Sequence, residues 1–361
     1  MLFHFFTSLI EQYSFLNVFK YLTFRTGLSV MTSLIVVFII GAPLIKFFSE
    51  KMITGPIRQD GPIDHIIKKS GTPTMGGLII IIGIIFSTLL WADLTNIYVW
   101  TLIFVSLSLG GLGLIDDILK IKFKNSSGLK SKYKFSGQLF IGAIALFVLI
   151  NYSNHEFLYN LYFPFFKNLI WNMGLFFIPF GLFVIIGASN AVNLTDGLDG
   201  LATVPVMLVA LSFTLISYVV GNTIFSEYLQ IQYIPDVGEL SIFCGSVVGA
   251  CLGFLWYNAP PAKIFMGDTG SLSLGGSLAA IAIIVKHEIV LAIIGGLFVL
   301  ETISVIIQVI SFKLTGKRIF KMAPIHHHFE KKGWAEPTIV IRFWIIAIIL
   351  ALVGLATLKL R

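Results

Sequence analysis

An adjacent pair of acids, Asp116-Asp117, lies at the end of an apolar run that begins at Ile97. Two neighbouring carboxylates repel each other and resist desolvation, so a membrane boundary that holds them needs a compensating cation. A metal ion is the first candidate. Because adjacent helical positions point about 100° apart, the two carboxylates are expected to have different roles. One carboxylate would bind Mg²⁺ while the other accepts a proton or orients a nucleophile; the alternative is two solvated acids at a helix end.

A second acidic motif, at 190–201, places Asn193, Asp196 and Asp199 beside two glycines. Its spacing differs from that of an EF-hand, and the terminal Glu of such a loop is absent. A helical turn here would put Asp196 and Asp199 on one face. Turn formation with a helix N-cap is the alternative interpretation.

A third motif, at 258–271, ends in Gly267-Asp-Thr-Gly-Ser271, with Asp268 where a helix is predicted to begin. The N-terminus of a helix binds phosphates and their metals, because its free N–H groups and its dipole favour negative charge. An N-cap role explains the same aspartate, and both interpretations stay open.

The segment Gly71-Thr-Pro-Thr-Met-Gly-Gly77 combines a rigid turn with exposed N–H groups and hydroxyl donors, including that of Thr74. It is suited to hold a phosphate, although helix capping accounts for the same pattern. No Gly-Lys-Ser/Thr follows, so it is not a P-loop.

Titratable groups also occur in the last third of the chain. The segment 322–330 contains His326, His327 and His328, which cannot all share one helical face. One or two of them are expected to face a site as metal ligands, phosphate donors or acid/base groups. Glu301 interrupts an apolar span, where an acid has either a functional or a hydrogen-bonded structural role.

These groups together favour phosphoryl transfer. No sulfur ligand set accompanies the acids, and hard oxygen ligands favour Mg²⁺ or Mn²⁺ over Zn²⁺. Carboxylates with Mg²⁺, surrounded by lysines and helix N-termini, form the kind of site that transfers phosphoryl groups. A site at a membrane boundary predicts one water-soluble and one lipid phosphate substrate.

Membrane helices must position these side chains. The chain has 361 residues, of which 57% are hydrophobic and 12% charged, whereas a soluble domain is nearer a quarter charged. Apolar blocks of roughly 18 residues or more predict an all-α polytopic membrane protein without a sizeable soluble domain. The ten predicted spans are 25–47, 75–92, 97–117, 135–152, 171–191, 199–219, 240–257, 270–286, 289–312 and 338–358.

Charge predicts the orientation of these spans. Most of the 25 Lys and Arg residues fall in the connections after the odd-numbered spans, which the positive-inside rule assigns to the cytoplasm. Both termini are then periplasmic and every polar motif is cytoplasmic. The net charge of +7 is attributed to this asymmetry and not to nucleic-acid binding.

Residues 1–24 are predicted to form an interfacial segment without signal-peptide features, and residues 25–361 are predicted to form a single catalytic domain.

The motifs resemble, in order and spacing, those of the MraY family, the phospho-N-acetylmuramoyl-pentapeptide transferases of bacterial peptidoglycan synthesis. The resemblance runs from about residue 21 to the end of the chain. Its motifs are Asp60-Gly-Pro, Gly71–Gly77, Asp116-Asp117, Asn193–Gly200, Phe265–Ser271, Pro324–His328, Gly333–Pro337 and Arg342-Phe-Trp. It implies attack of undecaprenyl phosphate on UDP-MurNAc-pentapeptide, giving lipid I and UMP, with Mg²⁺ required. A homodimer in the bacterial inner membrane, with a cytoplasm-facing groove, is implied as well.

The resemblance also implies residue roles. Asp268 would be the main Mg²⁺ ligand, Asp117 would bind or orient the metal–diphosphate centre, and Asp116 would deprotonate or position the lipid phosphate. Asp199 would read the uracil edge and Phe265 would stack on its ring. The three histidines would contact the sugar or pyrophosphate, and a nucleotide-contacting lysine would be Lys68 or Lys69, in a stretch one residue longer than the family pattern. The full substrate-binding set is Lys68, Lys69, Thr74, Asn193, Asp196, Asp199, Phe265, Gly267 and Glu301.

Two other functions share some of these features. A polyprenyl-phosphate GlcNAc-1-phosphate transferase would have the same acids, but the triple histidine and the Gly71–Gly77 segment favour the muramoyl-pentapeptide enzymes. A divalent-cation transporter predicts acids near the bilayer midplane in both halves and an inverted repeat, and the sequence has no clear repeat.

Overall fold

The computed structural model describes residues 1–54, 71–123, 128–152, 156–166 and 169–359. Helices dominate these ranges. The α-helices are α1 (Leu2–Ser8), α2 (Leu22–Glu50), α3 (Gly77–Trp91), α4 (Ile97–Phe123), α5 (Ser131–Tyr152), α6 (Phe177–Thr195), α7 (Thr203–Val220), α8 (Thr223–Leu229), α9 (Leu240–Asn258), α10 (Gly267–Ile284), α11 (Glu288–Ile294), α12 (Gly296–Thr315), α13 (Ile325–Glu330) and α14 (Glu336–Ala356). Short 3₁₀ helices are Ser14–Lys20, Glu156–Tyr159, Gly174–Phe176 and Val237–Glu239.

Nine helices in the described ranges are long and apolar enough to cross a membrane, and α3 is a shorter apolar helix. The predicted count of ten spans therefore stays a prediction. The second predicted span begins two residues late because Met75 has a φ of 69°, and the next two N–H groups donate to the carbonyls of Phe265 and Met266. The resulting 15 residues extend about 22 Å, less than the roughly 30 Å of a bilayer core.

The prediction of a single helix over 289–312 is wrong. Gly295 has φ −84° and ψ 18°, which separates the seven-residue α11 from the membrane-length α12. Glycine has weak helix propensity because its backbone loses the most freedom on folding. A Gly295-Gly296 pair is therefore a natural place for the axis to break.

The predicted all-α fold class is confirmed as a mostly helical chain, with one small two-stranded sheet in a connection. Between α5 and α6, strands β1 (Asn160–Tyr162) and β2 (Ile170–Asn172) pair antiparallel, with Leu161 opposite Trp171. Tyr, Ile and Trp are strand-favouring residues. Strand β2 contains the first residues of the predicted fifth span, 171–191. Helix α6 therefore begins only at Phe177.

The core of the bundle is centred on α10, in which every residue from Asp268 to Ile284 is buried. It packs against α4 and α6, while α9 packs against α2 and α7. Successive spans run in opposite directions, so the last turns of α4, α6 and α9 lie at the same end of the bundle as the first turns of α3, α5, α7 and α10. The polar motifs are at this end.

Candidate active site

Three carboxylates from two helices meet at the polar end of the bundle. Asp116 and Asp117 come from α4 and Asp268 from α10, and each offers an oxygen within 4.8 Å of the others. All three side chains are nearly enclosed by protein. Three negative charges in such a setting require cations close by.

Asp117 caps the helix that carries Asp268. Its Oδ1 accepts the N–H of Asp268 (3.2 Å), and its Oδ2 accepts the N–H (3.0 Å) and the hydroxyl (2.8 Å) of Thr269. Met266 occupies the N-cap position of α10 and makes no side-chain cap bond. The capping role considered for Asp268 therefore belongs to Asp117, which satisfies free N–H groups at the helix start from a neighbouring helix.

A glycine on α4 permits this contact. Gly113 lies one turn before Asp117, and a Cβ at Gly113 would collide with the backbone of Asp268 and Thr269. The two helix backbones therefore approach closely enough for a short aspartate side chain to bridge them. Nothing in the sequence marks Gly113 as different from the other glycines of the run.

Asp116 has different partners. Its Oδ1 accepts the N–H of Leu129 at 2.5 Å, and its Oδ2 lies 2.6 Å from the Nζ of Lys120. The connection that follows α4 thus returns to this carboxylate. The two adjacent acids point to different neighbours, as their positions on one helix require.

Two lysines outside the sequence motifs supply the cations. Lys120 Nζ lies 2.6 Å from Asp116 Oδ2, 3.0 Å from Asp268 Oδ1 and 3.9 Å from Asp117 Oδ1. Lys134 Nζ, from α5, lies 2.6 Å from Asp268 Oδ2 and 3.9 Å from Asp116 Oδ2. The i,i+4 spacing of Asp116 and Lys120 was a local signal for the first contact. Lys134 has no such signal, because it approaches from another helix.

The donor set is suited to a divalent cation. The three acids supply hard oxygen ligands, and one negative charge remains after pairing with the two ammonium groups. Oxygens on opposite sides of an octahedral Mg²⁺ are about 4.2 Å apart, so the observed spread of 4.8 Å is close to that of a coordination shell. Asp117 Oδ2 already accepts two hydrogen bonds, so the remaining acceptor capacity of this carboxylate lies on Oδ1.

Asn193, Thr74 and Gly267 complete the same cluster. The Nδ2 of Asn193 donates to Asp268 Oδ1 and to Ser271 Oγ, each at 2.9 Å. Gly267 has a φ of 74°, and a Cβ there would lie 2.7 Å from Asp117 Oδ2 and 3.1 Å from Thr74 Oγ1. The glycine thus provides both the left-handed backbone and the space at the entrance to α10.

The remaining residues of the 190–201 motif anchor a neighbouring loop. Helix α6 ends at Thr195, so Asp196 and Asp199 lie in the turn that follows it. The N–H of Asp199 donates to Glu336 Oε1, and its Oδ2 accepts the N–H of Ala262, both at 2.9 Å. Asp199 therefore connects the two polar loops that precede α7 and α10.

The three histidines have three different surroundings. His326 is fully buried, with Nδ1 3.1 Å from Oε1 of the equally buried Glu301. His327 Nδ1 lies 2.6 Å from Glu330 Oε2. His328 Nδ1 accepts the N–H of Lys321 at 3.0 Å. Desolvation, with the nearby charges of Lys332 and Lys321, lowers the pKa of His328, which favours the neutral ring that this bond requires. The predicted contacts of Lys68 and Lys69 lie outside the described residues.

Comparisons with known proteins place the chain in a family. The model of glycosyl transferase family 4 matches residues 99–286, a range with all three acids of the cluster, and a phospho-N-acetylmuramoyl-pentapeptide-transferase signature matches 69–81. A phospho-N-acetylmuramoyl-pentapeptide-transferase from Pelagibacter ubique (strain HTCC1062) is 68% identical over 361 residues, the full length of both chains. The chain belongs to the phospho-N-acetylmuramoyl-pentapeptide-transferase family. A second member, from Maricaulis maris (strain MCS10), is 55% identical over 367 residues, again over both full chains.

Membership of the phospho-N-acetylmuramoyl-pentapeptide-transferase family confirms the resemblance based on the motifs. With it, the chain is an enzyme of the transferase class and a multi-pass protein of the bacterial inner membrane. The signature covers the segment that pairs with the loop before α10, and the wider family match begins in α4 and ends just after α10.

Proposed function

We propose that this protein transfers phospho-MurNAc-pentapeptide from UDP-MurNAc-pentapeptide to undecaprenyl phosphate, forming lipid I and UMP for peptidoglycan synthesis. The observation that carries the proposal is the cluster of Asp116, Asp117 and Asp268 with two lysines, at the N-terminus of a buried membrane helix. Such a cluster serves phosphoryl transfer at a membrane boundary. The names of both relatives favour the muramoyl-pentapeptide donor over a GlcNAc donor, and acids at one end of the bundle do not fit a transporter.

Mg²⁺ is the proposed cofactor. Asp268 and Asp117 would hold it, because each offers an oxygen within 4.8 Å of the other and Asn193 donates a hydrogen bond to the first carboxylate. When bound, the ion supplies charge neutralisation on the diphosphate and on the UMP leaving group.

The chain's own residues would align the two phosphates. An oxygen of the lipid phosphate attacks the β-phosphorus of the donor, a new P–O bond forms, and the bond to the UMP oxygen breaks. A phosphomonoester, with its second pKa near 6, is already largely ionised at neutral pH. Asp116 would therefore position the acceptor at least as much as it removes a proton. Lys120 and Lys134, which already contact the acids, would move toward phosphate oxygens.

The other motif residues would bind the nucleotide sugar. Asn193 and Asp196 would line its site, Asp199 would read the uracil edge, and Phe265 would stack on the uracil. Further contacts to the sugar or its phosphates would come from Lys68 or Lys69, Thr74, Gly267, His327 and His328. Bilayer lipid would surround the bundle, residues 1–24 would lie at its interface, and 25–361 would form a single catalytic domain. The site would face the cytoplasm, both termini the periplasm, and two copies would form a homodimer.

The decisive experiment measures UMP release. Purified protein is incubated with UDP-MurNAc-pentapeptide, undecaprenyl phosphate and Mg²⁺, with UDP-GlcNAc as the parallel donor. We expect UMP and lipid I from the first donor alone. No UMP release under conditions in which an established family member is active would overturn the proposal, and release from UDP-GlcNAc alone would reassign the substrate.

A further inference from the structure

A buried pair of ionisable groups lies beside the loop that follows Asn193 and the end of α6. Glu301 in α12 and His326 in α13 are both 0% exposed, with Oε1 and Nδ1 separated by 3.1 Å. These two atoms are in close contact, and neither side chain makes an aligned hydrogen bond among the described residues. Enclosing a carboxylate in an apolar helix costs several kcal/mol unless it is paired, so each group depends on the other.

The far side of the His326 ring rests on Gly197. A Cβ at this glycine would collide with Nε2 and lie 3.0 Å from Cε1 and 3.4 Å from Cδ2 of the imidazole. Gly197 is not in a left-handed conformation, so space for the ring explains this glycine. His326 thus fills the gap between Glu301 and the backbone of the loop.

That loop leads directly to the acid cluster. Asn193 lies four residues before Gly197, in the last turn of α6, and donates to Asp268 Oδ1 and Ser271 Oγ. Asp196 is the immediate neighbour of Gly197. A shift of the His326 ring would therefore move the backbone next to residues proposed to line the nucleotide-sugar site.

We propose that Glu301 and His326 are positioning residues, a buried clamp that sets the 193–200 loop for the nucleotide sugar through the contact of the imidazole with Gly197. This inference rests on the proposed function and deepens it. Both side chains are fully enclosed, so they act through the loop and not by touching substrate. Glu301 orients the ring, and the ring supports the loop backbone.

The clamp predicts a selective kinetic defect. Glu301→Ala and His326→Ala should raise KM for UDP-MurNAc-pentapeptide by about 10-fold or more and leave KM for undecaprenyl phosphate within about 2-fold, since contacts in one network couple over roughly 2- to 100-fold. Glu301→Gln keeps an oxygen and adds an N–H that can reach Nδ1, so it should restore most of the donor KM. A merely structural role would change stability without separating the two substrates.

A double-mutant cycle tests the contact itself. Gly197→Ala should raise the donor KM in the wild-type background, because its Cβ displaces the ring. In the His326→Ala background the ring is gone, so adding Gly197→Ala should cost less than about 2-fold. Full multiplication of the two single effects would overturn the clamp. If His326→Ala does not fold, Gly197→Ala and Glu301→Gln still test it through the ratio of the two KM values.

A matched control comes from the other end of α10. Lys286 and Glu288 form a buried pair at 2.7 Å, about 27 Å from Asp268 along an 18-residue helix. Glu288→Gln should lower thermal stability and leave both KM values unchanged. If the wild-type protein releases no UMP, the proposed function fails. If it turns over and the cycle shows no coupling, only the clamp fails.

Discussion

Asp116 and Asp117 are adjacent, yet different bonds hold them. Asp117 is tied by three hydrogen bonds to the first turn of α10, and Asp116 is tied to Leu129 and Lys120. Loss of the Asp117 charge would weaken the cap of the helix that carries Asp268. Loss of the Asp116 charge would instead release Lys120 and the backbone of Leu129. The two substitutions therefore report on different parts of the machinery.

Asp268→Asn is expected to abolish turnover while the protein stays folded. Asparagine keeps an oxygen for Asn193 but removes the charge that faces both lysines. Groups that stabilise developing charge are worth about a hundredfold or more in rate. UMP release measures the loss, with Mg²⁺-dependent thermal stabilisation as the second readout. Wild-type activity in this variant would exclude a metal-ligand role.

Lys120→Met is expected to strengthen Mg²⁺ binding and to slow turnover. The ammonium lies within 4 Å of all three acids, and a unit charge at that distance is worth about 4 kcal/mol at an effective dielectric of 20. The Mg²⁺ concentration for half-maximal thermal stabilisation should fall by about 10-fold or more. Lys122→Met, at an exposed position of the same helix, is the control. An unchanged midpoint would show that Lys120 does not compete with the cation.

At the scale of elements, the close approach of α4 and α10 depends on one missing side chain. Gly113→Ala should destabilise the protein by about 1–3 kcal/mol, the usual cost of overpacking, because its Cβ meets the backbone of Asp268 and Thr269. The displaced helix should also lose the Asp117 cap, so activity should fall with stability. Thermal unfolding and UMP release are the measurements.

Gly111 offers a matched control on the same helix, because a Cβ there has no atom within 4 Å. Gly111→Ala should be neutral or stabilising by about 0.5–1 kcal/mol, since alanine favours helix. Equal destabilisation by both alanines would show that the α4–α10 distance is not set at Gly113.

The membrane helices could be predicted from the sequence, because a segment that crosses the bilayer core must be long and apolar. Most predicted spans correspond to observed helices. The boundaries failed where backbone groups found non-helical partners, before Gly77 and in the strand Ile170–Asn172, and where a pair of glycines interrupts the helix at Gly295. Site acids were recognisable because carboxylates are rare in such a chain. Lys120 and Lys134 were not, because basic residues at these ends also set orientation. The i,i+4 spacing of Lys120 and Asp116 was a local signal, but only packing brings Lys134 to Asp268.

At the scale of the whole molecule, the distribution of lysine and arginine predicts the direction in which the bundle crosses the membrane. The native Cys244 and Cys251 are fully buried, so they should not react with a labelling reagent. Ser131→Cys lies at the polar end and Thr223→Cys at the opposite end, both at exposed positions.

An impermeant maleimide applied to intact cells with a permeabilised outer membrane should label Thr223→Cys and leave Ser131→Cys unlabelled. Disrupting the inner membrane should make Ser131→Cys reactive as well. The reverse pattern in intact cells would invert the proposed orientation and place the acid cluster on the periplasmic side.

The backbone pairing around Phe265 has a consequence for how the enzyme can diverge. Its N–H donates to the carbonyl of Pro73 at 2.9 Å, and its own carbonyl accepts the N–H of Gly76 at 2.8 Å. Any residue except proline supplies both groups. Substitution of the ring proposed to stack on uracil would therefore leave both main-chain bonds available. A change of nucleobase preference at position 265 would not require a change in this backbone pairing.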